Sequence, residues 1–212
     1  MIDLLAVLPA FALTVLVIVA VPGQGMAMVL RQSILSGKDA AFFSVIGNTT
    51  GLIIWGILSG VGLSAIFQAS PTAFNILKWA GVSYLTLLSV QTLMHLQNEA
   101  GKFEYESGQS ARKFGPAFNI GITTNLTNVK AAVFSVGLVP QFVPEAFNLG
   151  WGIFLLTCVW AVISMAWYSL MITIVDKSAK WVQQPKVRRV LTAISAIGIA
   201  ILAIGLAFTN AH

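Results

Sequence analysis

The sequence predicts an all-α integral membrane protein, with six transmembrane helices as two inverted three-helix repeats and both termini extracytoplasmic. Three observations predict it. The composition is too apolar for a water-soluble domain, six apolar runs are each long enough for a bilayer, and the basic residues fall almost entirely in alternate loops. Of 212 residues, 57% are hydrophobic and 9% charged, with a mean hydropathy of +0.86; soluble domains carry about 25% charged residues. The net charge of +5 does not point to nucleic acid, because the basic residues lie in short loops between apolar runs. Cys158 is the one cysteine, which excludes an intrachain disulfide and any mechanism that needs a redox pair.

The six runs are Leu4–Leu30, Ala40–Phe67, Thr72–Leu96, Gly115–Val139, Leu149–Val175 and Val187–Phe208, each near or above the roughly 20 apolar residues that a bilayer needs. The first is read as a mature helix and not a signal peptide, since it begins with Asp3 instead of a basic segment and runs on past Pro22. None alternates as a barrel strand would. The polar stretch Gln97–Lys113 divides the chain into a first repeat (1–97), a loop (98–113) and a second repeat (114–212) within a single transporter domain. The loops after runs one, three and five hold ten of the twelve Lys and Arg residues. The positive-inside rule places those loops in the cytoplasm and both termini outside, in a multi-pass membrane protein.

Three spans per half make the second half run upside down relative to the first, a recurrent transporter plan with its site on discontinuous helices near mid-membrane. Runs one and four carry matching interruptions. The first contains AVPGQGM, where Pro22 removes a backbone donor and blocks the carbonyl four residues back, while Gly23 and Gly25 loosen the chain. The second contains NLTNVK, residues 125–130. At about 1.5 Å per residue, Pro22 lies roughly 13 Å from Arg31 and Asn128 roughly 22 Å from Lys113. Both are within reach of the midplane of a core about 30 Å thick.

Lys130 is the costliest of these residues, because a lysine near a helix centre costs roughly 2.5–3.5 kcal/mol. Two roles fit it: organising a site, or capping carbonyls freed by a break. Asn125 and Thr127 read alone are hydrogen-bonding contacts between helices. In run two, Gly47/Gly51 and Gly56/Gly60 are small-xxx-small steps that let helices approach closely, against a neighbour or in a homodimer, and Asn48 is the polar residue there that can face a cavity. Trp151, Trp167 and Trp181 are placed at interfaces or in packing.

The stretch VPGQGMAMVLRQSILSGKDAAFFSVIGNTTGLIIWGILSGVGL, followed by FNILKWAGVSYLTLLSVQTL, resembles the first half of the LysE/RhtB superfamily of bacterial amino-acid exporters. FNIGITTNLTNVKAAVFSVGLVPQF is similar to that family's fourth-helix signature. The resemblance covers nearly the whole chain and looks closest to the homoserine/threonine-efflux branch. It implies six helices broken at the two signatures, proton-coupled export of amino acids, and a central site containing Pro22, Gly23, Asn125, Asn128 and Lys130. The chain departs from the family pattern in three places. Gln24 follows the Pro-Gly pair where a second proline is common, Val129 stands where the fourth-helix proline is usual, and Ala161, beside Trp160, stands where many relatives carry an aspartate.

All seven acidic residues lie at span ends or in loops. A cationic substrate would need a deep anionic partner and a metal ion would need carboxylate, His or Cys ligands, so neither a metal nor a cofactor is expected. Lys130 with backbone donors at Gly23, Gln24 and Gly25 suits an α-carboxylate. The amides of Gln24, Asn48, Asn125 and Asn128 suit an ammonium or a small polar side chain, with Thr127 among the candidate lining. The expected function is secondary export of a small neutral amino acid or derivative. The alternatives are an exporter of another small solute or cation, or a non-transporting accessory. The expected partners are the substrate and membrane lipid, with no enzymatic constellation.

Overall fold

The computed structural model describes residues 2–21, 23–69 and 113–182, with isolated helical positions within 72–94 and 190–204. Pro22, most of the third and sixth predicted runs and the loop before Lys113 lie outside the described residues. The described residues are almost entirely helical, without strands.

Helix α1 (Ile2–Ala20) and helix α2 (Gln24–Ser36) are the two halves of the first run, bent by 58° at their junction. The chemistry of Pro22 accounts for the stop: with no N–H, it cannot serve the Ile18 carbonyl four residues back. Gly23 is extended, and its carbonyl accepts the first α2 bond from the Ala27 N–H at 2.9 Å. The predicted end at Leu30 is too early. Helix α2 continues through Arg31 and Gln32 to Gly37, whose φ of +89° is the left-handed geometry that glycine accepts without strain. A charge at a membrane surface does not end a helix; the backbone turn does.

Helix α3 (Lys38–Ala69) packs on helix α4 (Phe114–Leu126) and on helix α6 (Leu149–Val182). Its two glycine steps serve these two neighbours. A Cβ at Gly47 would strike the Phe118 backbone carbonyl, and one at Gly51 would meet the Asn125 side chain at 2.6 Å. Gly56 lies against Thr157, and Gly60 against the Gly150 carbonyl at 3.0 Å. On the α4 side Gly121 answers Gly47, and Ser44 Oγ bridges the pair by donating to the Ala117 carbonyl at 2.9 Å.

The fourth run breaks without a proline. Helix α4 ends at Leu126 and helix α5 (Val129–Val133) starts after Asn128, which is extended at φ −80°, ψ 100°. The Oδ1 of Asn128 accepts from the Lys130 N–H at 3.1 Å, as an N-cap does, while the Asn128 N–H donates to the Asn125 carbonyl at 3.0 Å. Val129 is therefore the first helical residue, whose N–H has no helical acceptor whether or not it is a proline. Beyond α5 a π turn (Phe134–Leu138) and a 3-10 turn (Val139–Phe142) carry the run past its predicted end at Val139. Ser59 Oγ of α3 pins the π turn by donating to the Ser135 carbonyl at 2.8 Å.

Among the described residues two helices are long and apolar enough to cross a membrane, Lys38–Gly62 and Leu149–Val175, and α1 with α2 makes a third if taken as one bent span. The second coincides with the predicted fifth run, although the helix itself continues to Val182. The core between them is largely aliphatic, with a small aromatic cluster inside it. Phe134 stacks on Phe11 at 6.5 Å and meets Trp160 edge-on at 4.7 Å.

Candidate functional site

The two broken runs meet α3 and α6 around one small cavity. Ile18 and Val19 of α1, Asn48 and Leu52 of α3, and Trp160, Ser164 and Tyr168 of α6 form three walls. Asn125, Asn128, Lys130 and Ala131, on either side of the α4–α5 break, form the fourth. About 20 Å³ is open to water centres, room for one or two waters and not for an amino acid, since one water needs about 10–15 Å³ on that measure. The cavity is too small for a substrate in this conformation.

Its lining is polar and under-paired. Among the described residues, Asn48 Nδ2, Asn125 Oδ1, Trp160 Nε1 and Ser164 Oγ are buried without a hydrogen-bond partner, on residues that are 2%, 2%, 4% and 1% exposed, respectively. Each such group costs about 1–3 kcal/mol of desolvation when left unmade. Four gathered at one cavity, donors beside an acceptor, are what a polar uncharged ligand would satisfy. Each is placed by local packing. Asn125 is held by Gly51 behind it, and its carbonyl accepts from Trp55 Nε1 at 3.4 Å. Trp160 is fixed by the Phe134 ring, and Ser164 and Tyr168 follow it at four-residue intervals on α6.

Lys130 links the two breaks. Its Nζ donates to the Ile18 carbonyl at 3.0 Å and the Val21 carbonyl at 3.3 Å. These carbonyls lie at the C-terminal end of α1, where the helix dipole is negative and acceptors outnumber donors. A Cβ at Gly23 would come within 3.3 Å of the same Nζ, and one at Gly25 would collide with the Tyr168 hydroxyl. The α1–α2 junction thus touches the cavity through Lys130 and Tyr168.

Of the residues singled out from the sequence, Asn48, Asn125, Asn128 and Lys130 line the cavity, and Gly23 and Gly25 lie against its lining residues. Gln24 is exposed. Thr127 is exposed too, and its hydroxyl is spent on its own helix, donating to the Thr123 carbonyl at 2.8 Å. Neither is among the cavity residues. Pro22 lies outside the described residues. The α6 wall was missed, and its one sequence signal was Trp160, Ser164 and Tyr168 recurring on a single face of an apolar helix. Among the described residues no three His, Cys, Asp or Glu side chains gather as metal ligands would.

Comparison with known proteins places the chain in a family. The family described as LysE type translocator matches residues 16–210. The homoserine/homoserine lactone efflux protein of Salmonella typhi is 34% identical over 206 residues, covering 96% of each chain. The leucine efflux protein of Salmonella choleraesuis is 28% identical over 156 residues, 73% of this chain and 72% of its own. A membrane protein of Bacillus subtilis, YrhP, is 25% identical over 200 residues, 92% of this chain and 93% of its own. No solved structure matches the chain.

Proposed function

This chain belongs to the LysE type translocator family, and we propose that it exports a small neutral amino acid or a close derivative across the bacterial cytoplasmic membrane, driven by the proton gradient. The frame for this is one domain of six transmembrane helices in two inverted repeats, with both termini extracytoplasmic. The observation that carries the reading is the cavity where the two breaks meet. Among the described residues its polar lining is uncharged apart from Lys130 and includes no carboxylate, so a cationic side chain would find no counter-charge there. The first-turn N–H groups of α2, at Gln24, Gly25 and Met26, supply a positive helix end beside the cavity for an α-carboxylate. The unpaired amide, indole and hydroxyl groups read the remainder. Relatives named for efflux of homoserine and of leucine support a neutral cargo.

The test is an efflux panel of radiolabelled threonine, homoserine, leucine and lysine from loaded cells or proteoliposomes, with and without a proton uncoupler. The expected result is export of at least one neutral amino acid, lost on uncoupling, with lysine retained. Export of lysine in preference to the neutral three would overturn the assignment.

A further inference from the structure

The contact between Lys130 and α1 identifies a second half to the site. The Ile18 and Val21 carbonyls form a two-oxygen cradle at a negative helix end, and what fills it is an ammonium group. We infer that this cradle is the ammonium subsite for an amino-acid substrate, occupied in this conformation by the side chain of Lys130 as a tethered stand-in. This inference rests on the translocator reading above and adds to it a binding position and an order of events.

Three features of the site support it. First, the acceptor at Ile18 is built into the chain, because Pro22 can never donate to it; a donor must come from elsewhere, and the one present is an ammonium. Second, Lys130 lines the cavity with its backbone anchored by the Asn128 cap, and its stem reaches about 6 Å, so the ammonium can leave the cradle and still face the cavity. Third, the cavity is too small for a substrate, so any loading must move a wall, and Lys130 is the group that ties one broken run to the other. When a zwitterion enters, its ammonium takes the Ile18 and Val21 carbonyls and its carboxylate takes the displaced Lys130 ammonium. Every charge keeps a partner through this exchange, and the tie between the two runs is replaced by the substrate itself. A ligand that lacks either charge cannot complete the exchange.

The full-length protein in detergent tests the cradle without a substrate. Ethylammonium chloride is the probe, with tetramethylammonium chloride, which cannot donate a hydrogen bond, as the control. Lys130→Ala should gain several degrees of melting temperature from ethylammonium over tetramethylammonium, while the wild type should show no difference. Lys130→Met keeps the bulk of the stem but can donate to neither carbonyl, so it should show the same gain and serves if the alanine variant does not fold. An equal response in wild type and variants overturns the subsite. In proteoliposomes the wild type should exchange threonine at least tenfold faster than N-acetylthreonine, which has no ammonium; equal rates would also overturn it. Failure of threonine, homoserine and leucine alike to be exchanged counts against the export reading, whereas the ethylammonium result decides the cradle whatever is transported.

Discussion

Lys130 Nζ donates at 3.0 Å to the carbonyl oxygen of Ile18, the one carbonyl that Pro22 deprives of its helical donor. The partners are 112 positions apart and belong to the two runs that break. One half of the chain thus creates an unmet acceptor, and the other half meets it with an ammonium.

That relationship predicts a coupling between positions 22 and 130. Lys130→Met leaves the buried Ile18 carbonyl without a donor, at a cost of about 1–3 kcal/mol. For a chain of this size that lowers the melting temperature by roughly 2–4 °C per kcal/mol. Pro22→Ala restores a backbone N–H to position 22. The double variant should therefore lose less stability than the two single effects summed, which thermal unfolding in detergent would show. Strict additivity of the two substitutions would mean that Lys130 does not substitute for the missing N–H.

The fourth-run break predicts that proline is permitted at 129 without being required. Asn128 already has the extended backbone that a residue before proline prefers, and Val129 is the first helical residue. Val129→Pro should fold and melt within about 1 °C of wild type, since a proline at that position removes no helical bond. Asn128→Ala removes the side-chain oxygen that accepts from the Lys130 N–H and should cost about 1 kcal/mol, read as a lower melting temperature. A large loss with Val129→Pro would show that the Val129 N–H has an essential acceptor.

The positions of both breaks were legible in the sequence because proline, glycine and asparagine act on the backbone locally. The packing glycines were legible for a similar reason, since a four-residue repeat on an apolar helix has one physical use. What was not legible was partnership. Nothing in NLTNVK says that Lys130 reaches Ile18, because that contact depends on how two runs cross. The α6 wall was hidden differently. A tryptophan and a tyrosine in a membrane helix usually mark an interface, and Ser164 alone is an ordinary packing contact. Only their convergence with Asn48 and Asn125 makes them a site. Thr127 failed in the opposite direction: its polarity is local, used to close the end of α4.

The glycine steps predict opposite outcomes for one substitution at two positions of α3. At Gly47 an added methyl would enter the Phe118 backbone, which cannot rotate away, so Gly47→Ala should cost about 1–3 kcal/mol as α3 and α4 separate. At Gly62 a Cβ meets nothing within 4 Å, and Gly62→Ala should stabilise by about 0.5–1 kcal/mol through helix propensity. Parallel melting curves in one detergent would check both, and a neutral Gly47→Ala would mean that the α3–α4 contact is looser than the structure has it.

Trp160 predicts a trade between stability and transport. Its indole N–H is buried without an acceptor beside the cavity, while its ring is packed edge-on to Phe134. Trp160→Phe keeps an aromatic ring against Phe134 and removes the unsatisfied donor. Relief of that desolvation should offset the lost ring volume, leaving stability unchanged or higher by up to about 1 kcal/mol. A ligand that accepts from the indole loses that bond, worth about 1.4 kcal/mol if affinity falls tenfold. The expected result is a melting temperature at or above wild type, with a KM for efflux raised about tenfold and little change in kcat. If Trp160→Phe instead lowers stability and leaves KM unchanged, the indole N–H is a packing defect and not a ligand contact.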